Sequence, residues 1–176
     1  MKKLSLLVML MAATALFADV EVDFDYKEMS GFASNQFALW VENENNNVVK
    51  TLFATDFTAA KRGYKKREQS LNNWVFAAKP DKMTDSEIDA VSGATPKSGT
   101  QHFTWDLTDR QGQKVPDGKY FIKLEATFFA GSNAVYTGTI DLSKATTGPL
   151  DVVLERSEPD NSKNANMIQN VKMSVK

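Results

Sequence analysis

Cysteine is absent and histidine occurs once, so disulfide frameworks, thiolate nucleophiles, Cys/His zinc sites and cysteine-attached haem are all excluded. Charge of one sign is lacking as well. With 21 Lys and Arg against 22 Asp and Glu, the net charge is -1, which gives no overall basic field to hold nucleic acid or an anionic membrane. Proline (5) and glycine (9) are sparse among 176 residues. Together with 42% hydrophobic residues, that excludes collagen-like and disordered chains and fits one globular domain. Internal repeats and low-complexity blocks are missing too.

One apolar run is present. Met1-Lys2-Lys3 is followed by the apolar stretch Leu4 to Met11 and by small residues up to Ala18, the order of a secretory signal peptide with cleavage expected after Ala18 or Ala15. The run is too short for a comfortable spanning helix. Loss of Lys2 and Lys3 takes the net charge to about -3, so the expected mature protein, 19–176, is mildly acidic, periplasmic and without a membrane span.

Val20 to Tyr26 alternates apolar with acidic residues, the period of a half-buried strand. Asn35 to Glu42 and Val48 to Ala54 flank Glu42-Asn43-Glu44-Asn45-Asn46-Asn47, whose asparagines tolerate the left-handed backbone of a tight turn; a hairpin follows. Further strands are expected over Gln101–Leu107, Lys119–Phe128, Ala134–Asp141, Asp151–Glu155 and Met167–Val175. Eight strands without strand–helix alternation predict a mainly β fold, an immunoglobulin-like antiparallel β-sandwich. A long insertion over about 56–99 interrupts it. Within that insertion Leu71, Trp74, Val75 and Ala78 recur at helical spacing before Pro80. Thr84-Asp85-Ser86-Glu87 has the capping-box arrangement and starts a second short helix, expected to end near Gly93. Long excursions from a compact β domain carry function more often than the strands do.

The same insertion contains Asp89-Ala90-Val91-Ser92-Gly93-Ala94-Thr95-Pro96-Lys97-Ser98-Gly99. This segment resembles the flavinylation motif of bacterial FMN-binding proteins, Asp-x-x-Ser/Thr-Gly-Ala-Thr-x-x-Ser/Thr, in which an FAD-dependent transferase moves FMN onto the threonine. The resemblance implies Thr95 as acceptor, Gly93 and Ala94 as the small neighbours that admit a transferase cleft, and Asp89, Ser92 and Ser98 as flanking polar groups. A structural reading of the same residues is a helix end and glycine turn, with Pro96 holding Thr95 extended.

Phe37 to Glu42, Val49 to Phe53, Gly63 to Arg67, Ala90 to Pro96 and Trp105 to Asp109, with Gly112, Val115 to Gly118 and Tyr120, resemble the predicted periplasmic family of unknown function DUF2271. That resemblance implies a small exported β domain, of a kind associated in some members with flavin transferases and with membrane electron-transfer or iron-uptake proteins. Trp105 to Tyr120 is also similar to the immunoglobulin-like part of flagellar hook-capping proteins, a likeness of fold and not of role.

Lys61 to Arg67 places five cations in seven residues. Tyr64, Lys65 and Arg67 are therefore candidates to hold an FMN phosphate or an acidic partner, or else a solvated loop. Trp74, and after it Trp40 and Tyr64, are candidates to stack on a flavin ring, against the alternative of core packing. His102 alternates out of phase with Phe103, Trp105 and Leu107 and is expected to face solvent. Asp23 with Asp25 and Asp85 with Glu87 lack the context of a glycosidase or calcium site. Two functions remain: an exported electron-transfer module with covalent FMN on a threonine, served by a flavin transferase and a periplasmic or inner-membrane redox protein, or a cofactor-free periplasmic binding or assembly domain.

Overall fold

The computed structural model describes residues 19–31, 33–129, 132–157 and 165–176; the expected signal peptide and part of the polar loop before the last strand lie outside them. Ten strands and two helices follow in the order β1 (Val20–Tyr26), β2 (Gln36–Asn43), β3 (Val48–Thr55), α1 (Asn72–Ala78), α2 (Asp85–Val91), β4 (Ser92–Gly93), β5 (Gly99–Trp105), β6 (Lys119–Phe129), β7 (Ser132–Asp141), β8 (Gly148–Pro149), β9 (Val152–Arg156) and β10 (Ile168–Val175). One sheet has the order β5-β1-β10-β8 and the other β4-β3-β2-β6-β7-β9. All eight expected strands form. The two additional strands, β4 and β8, are two residues long, and β4 pairs in parallel with Ala54 and Thr55 of β3, an exception to the expected antiparallel pattern.

Alternation in β1 buries Val20, Val22, Phe24 and Tyr26 and turns Glu21, Asp23 and Asp25 outward. These apolar residues meet Phe37, Leu39 and Val41 of β2, Ile122, Leu124 and Ala126 of β6, and Met173 and Val175 of β10 in one core that draws on both sheets. Val20, Phe37, Ile122 and Leu124 have no exposed surface. Removing such side chains from water is the main driving force for the pairing of the two sheets.

The four tyrosines have phenol pKa values raised by burial. Tyr26 is pushed up to about 12 by burial and then by the charge of Glu28, from an ordinary 10.0. A phenol that keeps its proton in the folded state and loses it sooner when unfolded contributes stability that is present below pH 10 and lost as the pH rises towards 12. Alkaline titration is therefore expected to show phenolate absorbance appearing together with loss of the near-ultraviolet circular dichroism; early, reversible ionisation of the Tyr26 phenol in the folded state would contradict it.

β2 is buried on both faces, as its unbroken apolar run requires. Ala38 and Trp40 point away from the sheet–sheet core and join Ala54, Ala59, Leu71, Trp74 and Ile88 in a second cluster. The insertion thus covers the outer face of the six-stranded sheet. Its attachment is polar as well as apolar. Glu125, fully buried on β6, accepts from Asn73 N (3.2 Å), Asn73 Nδ2 (2.9 Å) and Asn133 Nδ2 (3.0 Å) through Oε1, and from Trp74 N (2.8 Å) through Oε2. Burial pushes its pKa up, while these donors act in the opposite sense. Since Leu71, in the residue position that begins α1, makes no side-chain cap, the Glu125 carboxylate supplies the acceptor that orphan N–H groups at a helix start demand. Further along the β2–β6 pair, buried Glu42 accepts from Trp40 Nε1 (2.7 Å) and Lys123 Nζ (2.6 Å).

Candidate functional site

The segment that carries Thr95 is held by conventional elements on either side. Thr84 Oγ1 accepts from Glu87 N (3.2 Å), and Glu87 Oε2 accepts from Thr84 N (2.8 Å), so the capping box forms as its sequence predicts. The Thr84 donors hold the Glu87 carboxyl below the usual carboxylate range. Ile88 is buried in the second cluster, which fixes the face that α2 presents inward.

α2 ends at Val91, two residues before Gly93. No glycine turn follows. Gly93 is absent from the positive-φ glycines and pairs in β4 with Thr55, while its carbonyl accepts from Asp56 N (2.8 Å). Its lack of a side chain matters for contact instead, because a Cβ there would lie 2.6 Å from Phe53 Cε2. After β4 the chain crosses from one sheet to the other and enters β5 at Gly99, which pairs with Tyr26. Ser98 Oγ accepts from Glu28 N (2.9 Å), and Gln101 Nε2 donates to the Gly99 carbonyl (3.2 Å). Between these anchors Ala94 and Thr95 are exposed. No hydrogen bond engages the Thr95 hydroxyl among the described residues. Asp89 is exposed on α2 and Ser92 is half-buried.

Asp89, Ser92, Gly93, Ala94, Thr95 and Ser98 follow one another from α2 to β5, and among the described residues no hydrogen bond or ion pair joins Lys65 or Arg67 to them. Arg62 pairs with Asp85 at the first turn of α2 (3.4 Å), at the opposite end from Thr95 across a rise of about 10 Å. The Arg67 guanidinium lies 4.9 Å from the centre of the Phe57 ring. Lys65 is exposed, and Tyr64 is half-buried with an enclosed hydroxyl. The ring-stacking assignments fail for the tryptophans. Trp74 has 0% and Trp40 1% of its surface exposed; Trp74 Nε1 donates to Thr51 Oγ1 (3.2 Å), so both indoles serve the second cluster. His102 faces solvent, and its Nδ1 lies 2.7 Å from Asp23 Oδ1, a partner on the neighbouring strand that sequence spacing does not reveal.

Two of the clefts that adjoin the insertion lie against its helices. One, of about 950 Å³, spans the outer face of the six-stranded sheet between α1 and β7, with Phe76, Lys123 and Val135 on its wall. Phe76 is 83% exposed. The other, of about 410 Å³, lies between α2 and the facing edges of β3 and β5 and is lined by Leu52, Ala90, Val91, Phe103 and Arg110 among others.

Two packed sheets, a helical insertion laid over one of them and an accessible threonine on the crossing between the sheets define a mainly β protein with an exposed loop. The chain belongs to the predicted periplasmic protein family DUF2271, which matches residues 18–152. Its compartment is accordingly the periplasm, and no helix of the described residues is long and apolar enough to cross a membrane. No curated protein and no solved structure matches the chain.

Proposed function

We propose that this protein is a carrier of covalently bound FMN, with the flavin esterified to Thr95 and electrons exchanged with a periplasmic or inner-membrane redox protein. The observation that carries this reading is the Thr95 hydroxyl, exposed and without a partner among the described residues, on a segment anchored at Gly93 and Ser98 and framed by the spacing Asp89, Ser92, Gly93, Ala94. An acceptor that must enter another enzyme's cleft needs both accessibility and small neighbours. In the transfer, Thr95 Oγ bonds to the FMN phosphorus of FAD, the pyrophosphate P–O bond breaks, AMP leaves and the hydroxyl proton passes to a base of the transferase. The bound flavin then supplies reversible electron and proton uptake. The chain's own part is to hold the acceptor still: β4 fixes one side of the loop, Ser98 the other, and a side chain at 93 would have to displace the Phe53 ring.

The same reading takes the body to be an immunoglobulin-like sandwich. Tyr120 Oη donates to the Pro116 carbonyl four residues upstream (2.7 Å), in the manner of the tyrosine corner of such domains. The exposed Phe76 beside the larger cleft favours a second reading, a cofactor-free binding domain.

Intact mass decides between them. The mature protein made with an active flavin transferase is expected to gain about 0.44 kDa and to fluoresce, whereas Thr95→Ala stays unmodified with unchanged melting. An unmodified wild type in the presence of a working transferase overturns the flavin reading and leaves the binding domain.

A further inference from the structure

The proposed acceptor stands on the surface, and the smaller cleft opens beside the helix that leads to it. Ala90 and Val91, the last residues of α2, form one wall, and Leu52 and Phe103, from the facing edges of the two sheets, form another. Phe103 is part of an aromatic group with Phe53 (centroids 5.4 Å apart) and Phe24 (6.0 Å), so its position is set by packing rather than by solvent. The rim is polar. Arg110 reaches it from the β5–β6 connection, where its backbone N donates to the Val49 carbonyl (3.1 Å). The other clefts, on the outer face of the six-stranded sheet, beside β8 and near Gly31, carry no residue of α2.

We infer that this cleft seats the isoalloxazine ring of the flavin borne on Thr95, with Val91 and Phe103 against the ring and Arg110 at its carbonyl-bearing end. The inference rests on the flavin reading above. Three features agree with a flat tricycle that is apolar at one end and rich in acceptors at the other. The walls are aliphatic and aromatic, the rim holds a guanidinium with several donors, and the apolar part of the cleft adjoins α2 itself. Reach is adequate: Thr95 follows Val91 by four residues, at most about 14 Å of chain, and the ribityl phosphate arm with its ring spans a comparable length. Of the basic segment at 61–67, Arg62 pairs with Asp85 at the first turn of α2, and none of its residues lines this cleft.

The test uses the flavinylated protein, its mass gain confirmed first, and compares flavin anisotropy and acrylamide quenching with free FMN. Small-molecule sites bury most of their ligand, so quencher access is expected to fall about fivefold and anisotropy to report tumbling of the whole protein. Val91→Trp, which fills the cleft, is expected to restore access to the free-FMN level while the mass gain persists. Arg110→Gln, an exposed position that spares the fold, is expected to raise access partway. Flavin attached to Thr95 but quenched like free FMN, or protected equally in wild type and Val91→Trp, overturns the seat and leaves the carrier intact. Absence of the mass gain overturns both.

Discussion

Glu125→Ala is expected to lower the unfolding free energy by about 3–5 kcal/mol, the cost of leaving buried donors without their charged partner. Four N–H groups from α1 and β7 converge on that carboxylate, which is fully buried. In a domain of this size the melting temperature falls by roughly 2–4 °C per kcal/mol, so a drop on the order of 10 °C is expected. Glu125→Gln separates charge from geometry. Its amide oxygen can keep the three bonds made by Oε1, but its NH2 then faces the Trp74 N–H, which costs about 1–3 kcal/mol. Thermal melts of the two variants should therefore rank Ala below Gln below wild type; equal melting of Glu125→Ala and wild type would show that the carboxylate does not hold α1.

Trp74→Ala is expected to cost about 3–5 kcal/mol, the range for deleting a fully buried aromatic. The loss falls unevenly. Trp74 belongs to the cluster under the insertion and not to the core between the sheets, so the variant should open α1 and α2 while β1, β2, β6 and β10 stay closed. Amide exchange checks this: faster exchange confined to the insertion is the expected result, and uniform acceleration would mean that the two clusters unfold as one. Because Ile88 of α2 shares the cluster with Trp74, the Thr95 segment should loosen too, and the proposed flavin transfer onto it should become less efficient. Combined with Glu125→Ala the effect should be smaller than the sum, since both groups hold the same helix.

Much of this architecture is legible in the sequence because it is written in periods. The alternation of Val20 to Tyr26, the asparagine-rich turn and the Thr84–Glu87 box each fix an element within a residue or two. What escapes has no period to carry it. β4 and β8 are two residues each, too short to alternate. Glu125 sits between Leu124 and Ala126 on a strand whose other face reads as solvent; only the covering insertion, fifty residues earlier in the chain, makes that face an interior. The same covering turns Trp74 from a ring available to a ligand into a core residue. For the loop, the residue types at 89–95 carry the proposed acceptor, but nothing in their spacing says that Arg62 pairs with Asp85 at the opposite end of α2, because that depends on how the insertion folds back.

The Glu125 cap also orders events in time. Its ligands Asn73 and Trp74 precede it by 52 and 51 residues, and the carboxylate is in place only after β6 has paired with β2. A chain crossing a membrane from its N-terminus delivers α1 before β6, so the insertion must wait, uncapped, until the later strands arrive. Closure of such distant contacts belongs late on the folding route, and substitutions in α1 should speed unfolding more than they slow folding.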